Sequence, residues 1–203
     1  MFDSTKTTNI MVQLGKTFLA SLFSAVSNIN AKTFPPPCVM GDESIMSPKE
    51  HGTSHVPVQT NLNWNVDEKM ADRICNFNRH YAEPSGYWES TSFYREVQEQ
   101  VKKGADTDNV NEVTFYDSNT GKPLFIAPRG RSWNDFKVES EAHGWPSFRD
   151  EEVVWENVRC LSDGETVSLD GTHLGHNLPD RKGSRYCINL VSVAGRLTES
   201  VIE

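Results

Sequence analysis

The chain has 203 residues, 36% of them hydrophobic, with a formal net charge of −8 and a mean hydropathy of −0.55. That length suits one domain with a real core plus extensions. The acidic balance argues against an electrostatic nucleic-acid binder, and no apolar run approaches the roughly 20 residues that a membrane span needs.

The four cysteines, Cys38, Cys75, Cys160 and Cys187, are far apart and form no C-x-x-C pair. A zinc site of paired cysteines is not expected, nor is a disulfide-dense secreted fold. What remains is a few thiols, of which one or two can do redox chemistry.

In chain order, residues 4–41 contain no Asp or Glu, while Lys6, Lys16 and Lys32 are positive and an apolar run follows from Phe18 to Val26. Residues 1–31 therefore read as a targeting segment, for the secretory pathway or for an organelle such as a plastid or mitochondrion. Residues 32–64 read as a flexible Pro/Ser/Gly linker, with Phe34-Pro-Pro-Pro-Cys38 extended and Cys38 exposed. The folded domain is expected over residues 65–203. A short helix is expected over residues 67–76. Phe93, Val97 and Val101 recur at i, i+4 and i+8, which predicts an amphipathic helix over residues 92–103 with Gly104 just past its end.

From Glu112 the pattern changes to short strands broken by turns: residues 113–116, 124–126, 153–155, 158–161 and 166–169, with a short helix from Trp133 to Ser140. The fold class is mainly β with some α (β+α): two small antiparallel sheets with a helical N-terminal flank. The stretch Gly171-Thr-His-Leu-Gly-His-Asn-Leu-Pro-Asp180, followed by Gly183-Ser-Arg-Tyr-Cys-Ile-Asn189, gathers the side chains of an activated thiol site. Apolar residues run on to Val193, so its second half reads as a strand. Alternation then puts Arg185, Cys187 and Asn189 on one face, and Tyr186, Ile188 and Leu190 on the other. A cation two positions from a thiol favours the thiolate. His173 and His176 also suit a metal pair with Asp180 or Cys187.

Three blocks in order, His143-Gly-Trp-Pro-Ser-Phe148, Gly171-Thr-His-Leu-Gly-His176 with Pro179-Asp180, and Arg185-Tyr-Cys-Ile-Asn189, resemble the signature blocks of the methionine-R-sulfoxide reductases, the MsrB or SelR-domain family. Asp117-Ser-Asn-Thr-Gly-Lys-Pro-Leu-Phe125 is similar to the strand upstream of them, and Glu83-Pro-Ser-Gly-Tyr-Trp88 to the start of the domain. The resemblance runs from about Tyr81 to Ala194. It implies an MsrB-like β-fold and a reductase for methionine-R-sulfoxide, free or in oxidised protein. Cys187 matches the nucleophile, which would be left as a sulfenic acid. Arg185 would favour its thiolate, His173, His176 and Asp180 match the polar cluster, and Asn189 would fix local hydrogen bonding. His176 would serve as the acid, since an imidazole exchanges a proton near neutrality. Trp145 matches the indole that packs on the substrate methyl, within the block Trp145, Pro146, Ser147 and Phe148.

The chain departs from that pattern where many members carry two zinc-binding C-x-x-C pairs. The first is replaced around residues 116–119 and the second is reduced to Cys160, so the resemblance implies no zinc and no bound cofactor. The family's frequent resolving cysteine is His143 here. Cys187 would be recycled by Cys160 or Cys75 (Cys38 being a third possibility) or directly by an external thiol such as thioredoxin. A monomer is expected. The competing reading is a non-catalytic, MsrB-like binding module.

Overall fold

The computed structural model describes residues 32–105 and 112–198, so the expected targeting segment lies outside the described residues. Two antiparallel sheets and several short helices make up the fold, as expected for β with added α. Strands β1 (Val113–Tyr116) and β2 (Pro123–Ala127) pair as a hairpin. Strands β3 (Ser147–Phe148), β4 (Val158–Cys160), β5 (Glu165–Ser168), β6 (His173–Asn177) and β7 (Tyr186–Ile188) form the second sheet, in the order β3-β7-β6-β5-β4.

Among the described residues, three α-helices flank the sheets: α1 (Glu68–Asp72), α2 (Phe93–Ala105) and α3 (Trp133–His143). α1 is capped by the Asp67 carboxylate on the Met70 N–H and continues into a wider turn over Arg73–Phe77. α2 buries Phe93 and Val97 and runs through Gly104 rather than ending before it. α3 starts with a capping box between Ser132 and Asp135 and ends on Gly144, whose left-handed backbone (φ 86°) suits glycine at a helix end. That sharp stop delivers Trp145 straight into β3.

An aromatic core joins the layers. Phe148 stacks on Phe125 with centroids 4.2 Å apart and meets Phe115 edge-on at 4.9 Å. Trp64 packs edge-on against Phe93 at 4.9 Å.

Residues 32–64 are not a loose linker. Met46, Leu62 and Trp64 are buried, and Cys38 is only 8% exposed. The cause is a buried polar network that sequence pattern does not reveal. Asn119 Nδ2 donates to Ser54 Oγ, to the Val56 carbonyl and to Asn76 Oδ1 at 2.6–2.8 Å. Asp117 in turn accepts from the Asn119 N–H and from Thr172 Oγ1. Satisfied buried polar groups of this kind fix a segment as firmly as apolar packing does. The residues expected to replace a C-x-x-C pair thus form the hub that ties residues 54–56 to the sheet.

Two strand assignments also change. Val153 makes only an isolated bridge to Phe125, and residues 153–155 form no strand. β7 stops at Ile188, and Leu190–Ser192 turns as a short helix. The Glu83 carboxylate explains that stop: it accepts the N–H groups of Leu190 and Val191 at 2.8 and 3.0 Å, where a strand would have needed ladder partners.

Candidate active site

Cys187 is the only partly exposed thiol of the four; the other three are buried. In the sheet it pairs on one side with His176 of β6 and on the other with Ser147 of β3. Directly opposed residues project from the same face, with Cβ atoms about 4.5–5.5 Å apart. The sulfur and the His176 imidazole therefore share one face.

His173 reaches that face through an irregularity. It stands three positions before His176, and on a regular strand an odd offset puts side chains on opposite faces. Between β5 and β6 the register slips: Thr166 pairs with Gly175, whereas Val167 pairs with His173, leaving Leu174 as the extra residue. Such a bulge restores both histidines to one face. Gly175 is required beside it. Its φ is 154°, and a Cβ there would lie 2.1 Å from the Cys187 carbonyl oxygen. Only glycine lets β6 come this close to the Cys187 backbone.

Trp145, His173, Gly175, His176, Leu178, Cys187 and Asn189, with His80, Tyr81 and Ala82, line one open cavity of about 300 Å³. The Trp145 indole N–H donates to the Glu83 carbonyl at 3.1 Å, which fixes the ring. Asn189 Oδ1 accepts the Glu83 N–H, and its amide group donates to the Leu174 carbonyl. Glu83 therefore holds the indole wall, Asn189 and the turn after β7 in register. Sequence reading missed this role, because a glutamate before Pro-Ser-Gly reads as a surface turn.

The electrostatics differ from expectation. Arg185 is buried (7% exposed); its Nη1 donates to Ser147 Oγ at 3.4 Å, and its Nε has no hydrogen-bond partner. It lowers the Cys187 thiol pKa, but burial outweighs it and the net shift is upward. Cys187 is thus a protonated thiol at neutrality. Burial and the neighbouring His173 lower the His176 pKa, so that ring is neutral at pH 7. His173 is hydrogen-bonded through Nδ1 to Glu165 Oε1 at 2.7 Å, and Arg79 Nε donates to the same carboxylate at 2.9 Å. Burial raises the Glu165 pKa, yet His173 and Arg79 together bring it below the ordinary range. Glu165 was also missed; it stands just before the strand expected over residues 166–169, and β5 in fact begins with it.

Several expected site residues stand elsewhere. Asp180 does not line the cavity. Its Oδ2 accepts from Arg149 Nη2 at 2.7 Å and lies 3.8 Å from Arg185 Nε, and the Arg149 hydrogen bond leads in holding its pKa at about 2. Phe148 is fully buried in the aromatic core and does not line this cavity. Ser147 is buried beneath Arg185, and Pro146 serves through its carbonyl, which accepts the Ile188 N–H at 2.9 Å.

The resolving candidates fail on geometry and chemistry. Cys160 pairs with Thr166, Thr166 with Gly175, and Gly175 with Ile188, so Cys160 lies three strands from β7, roughly 14 Å at about 4.8 Å per spacing. It also faces away from Cys187. A disulfide tolerates Cα atoms only up to about 7 Å apart. Cys75 is fully buried, its thiol donates to Ser192 Oγ at 3.5 Å, and burial raises its pKa strongly.

Among the described residues, no group of three or more His, Cys, Asp or Glu side chains converges as a metal site would, and no helix is long and apolar enough to cross a membrane. Comparison with protein-family models, curated proteins and solved structures returns no match.

Proposed function

We propose that the chain is a methionine-R-sulfoxide reductase with Cys187 as its nucleophile and a divergent MsrB-like fold. The observation that carries this reading is the pairing of Cys187 with His176 on one sheet face, inside a cavity walled by Trp145. An apolar indole beside a polar floor suits a molecule with one methyl group and one S–O dipole. The three sequence blocks in family order support the same chemistry.

In this scheme the substrate methyl lies on Trp145 and its sulfur faces Cys187. The Cys187 sulfur attacks the sulfoxide sulfur while its proton passes through neutral His176 to the sulfoxide oxygen. The substrate S–O bond breaks as oxygen and proton pass to the Cys187 sulfur, and the S–S bond made in the attack breaks with it, leaving Cys187 as a sulfenic acid. The substrate sulfur gains two electrons, Cys187 loses two, and the thioether leaves. Arg185 favours charge on the Cys187 sulfur during attack. Asp180 holds the Arg149–Arg185 side of the site and does not transfer the proton. The buried positions of Cys75 and Cys160 support recycling by an external reductant: one thiol forms a mixed disulfide with Cys187 and releases water, and a second thiol releases Cys187. Thioredoxin-type proteins and small thiols are the two sources.

The test is incubation with separate R and S sulfoxides, with dithiothreitol and with thioredoxin in parallel. R-selective reduction in dithiothreitol that disappears in Cys187→Ser is expected. Absence of R-selective turnover, or turnover surviving Cys187→Ser, would sink the proposal. A second reading, a non-catalytic binding module, is favoured by one observation, the raised Cys187 thiol pKa. It predicts saturable binding of R-sulfoxide peptides with no turnover under either reductant.

A further inference from the structure

One cavity residue is held from behind by a chain of hydrogen bonds that the sulfoxide step does not use. Glu165 opens β5 opposite His176 and is only 2% exposed. Its Oε1 lies 2.7 Å from His173 Nδ1. Its Oε2 accepts from Arg79 Nε at 2.9 Å and from Arg79 Nη2. Arg79 Nη1 donates to Glu43, which fixes the guanidinium from its outer side. Burial opposes ionisation of Glu165, but His173 and Arg79 outweigh it. An ionised carboxylate only accepts hydrogen bonds, so His173 Nδ1 carries a proton. His173 lines the cavity beside His176, with the ring centroids 5.7 Å apart. With Nδ1 taken, Nε2 of the neutral ring is left as an acceptor for whatever enters. The two reactants that visit Cys187 differ at this point. A sulfoxide oxygen accepts and has no proton to give, whereas a thiol reductant brings an S–H.

We propose that Arg79 and Glu165 are positioning residues that fix His173 Nε2 as the base for the recycling thiol, a role that rests on the reductase reading above. In that step the thiol S–H bond breaks and its proton passes to His173 Nε2. The thiol sulfur uses the freed electron pair to form an S–S bond with Cys187. The Cys187 S–O bond breaks, and the departing hydroxide takes the proton back from His173 and leaves as water. His173 ends as it began, and the mixed disulfide waits for the second thiol. His176 thus serves the sulfoxide half of the cycle and His173 the thiol half. Arg79 also directly precedes His80, Tyr81 and Ala82, so the same ion pair holds that wall of the cavity. Replacing Glu165 by glutamine reverses the geometry. Arg79 has only donors and keeps the amide oxygen at the Oε2 position, so the amide N–H group turns to His173. Nδ1 must then accept, and the ring proton moves to Nε2.

The test uses the full chain, with nitrogen-labelled histidine for NMR and an R-sulfoxide peptide for kinetics. The His173 ring signals, assigned by their loss in His173→Asn, are expected to place the proton on Nδ1 in the wild type and on Nε2 in Glu165→Gln. Steady-state turnover of Glu165→Gln in dithiothreitol should fall about 10²-fold or more, the size of a general-base contribution. Its first-turnover burst of methionine, measured without reductant, should slow far less. Arg79→Met combined with Glu165→Gln frees the amide oxygen for His173 Nδ1 and should regain turnover, which loss of a merely structural ion pair would not do. A wild-type ring proton on Nε2, unchanged turnover in Glu165→Gln, a burst lost as fully as turnover, or a double variant slower than Glu165→Gln would each overturn the proposal. A wild type with no R-sulfoxide burst would instead defeat the reductase reading, and the recycling role with it, while the ring tautomers stay measurable on their own.

Discussion

Cys187 on β7 stands directly opposite His176 on β6, and each is set up to be uncharged at neutrality. A neutral thiol beside a neutral imidazole exchanges one proton without separating charge from solvent. That differs from a thiolate held ready by a cation. The proposed chemistry then needs His176 as a base as well as an acid. His176→Asn should lower single-turnover reduction of R-sulfoxide by about 10²–10⁴-fold, the usual size of a general acid–base contribution. Substrate binding should change little. Because the His176 pKa is lowered, the wild-type rate should hold as pH falls past the ordinary histidine range of about 6.5 before it declines. An unchanged single-turnover rate in the variant would remove His176 from the proton path.

Arg185 acts on the sulfur against burial. Removing its charge with Arg185→Met takes away the lowering influence and leaves the raising one, so the Cys187 pKa should climb further. Iodoacetamide reacts with thiolate, so alkylation of Cys187 at pH 8 should slow about tenfold for each unit of that rise. Asp180→Asn removes a negative charge near the guanidinium, so it should act in the opposite direction and speed alkylation, weakly, because Asp180 touches Arg149 at 2.7 Å but approaches Arg185 only at 3.8 Å. Equal alkylation rates in wild type and Arg185→Met, followed by mass spectrometry, would show that the guanidinium is merely structural.

Gly175 tests the bulge. A methyl group there meets the Cys187 carbonyl oxygen at 2.1 Å, and the backbone of β7 has no room to yield because Ile188 is fully buried behind it. Gly175→Ala should destabilise the fold by about 1–3 kcal/mol, the cost of overpacking and of a strained backbone. The surviving folded fraction should lose Cys187 reactivity. Urea melts and alkylation rates measured on the same samples would check both, and a variant as stable and reactive as wild type would refute the close approach.

Much of this architecture was legible in the sequence. The Val113–Tyr116 alternation and the Phe93-Val97-Val101 spacing both led to the elements observed. The cluster of Trp145, His173, His176, Cys187 and Asn189 was legible too, because short blocks carried it. What stayed hidden depends on contacts between distant segments. Residues 32–64 look like linker by composition, yet Asn119 anchors them through Ser54 and Val56. The run from Leu190 to Val193 looks like strand, yet Glu83 captures its N–H groups. Burial of Cys38 and Cys75 follows from the same folding-back. A β-bulge leaves no mark on hydrophobic alternation, so the shared face of His173 and His176 was not derivable from spacing.

Glu83 supplies the last prediction. Its carboxylate is almost fully buried, and burial pushes its pKa up to about 7 against two backbone N–H donors. An ordinary glutamate in the unfolded chain titrates near 4.3, so the folded state holds this proton more tightly. The stabilisation from that proton is complete below about pH 4 and is lost as pH rises through about 7. The difference of pKa corresponds to about 4 kcal/mol, an order-of-magnitude figure for so buried a group. Glu83→Gln cannot titrate. It keeps one acceptor for the turn after β7 but points an amide N–H at another N–H, which costs about 1–3 kcal/mol at low pH. Urea denaturation at pH 5 and pH 8 should therefore show the variant clearly weaker at pH 5, with the gap closing or reversing at pH 8. Asp117, Asp150 and Glu152 also have raised pKa values and add slopes of the same sign, but these are common to both proteins and cancel in the difference. A gap that stays constant between the two pH values would mean that Glu83 is ionised throughout, with its two N–H donors outweighing burial.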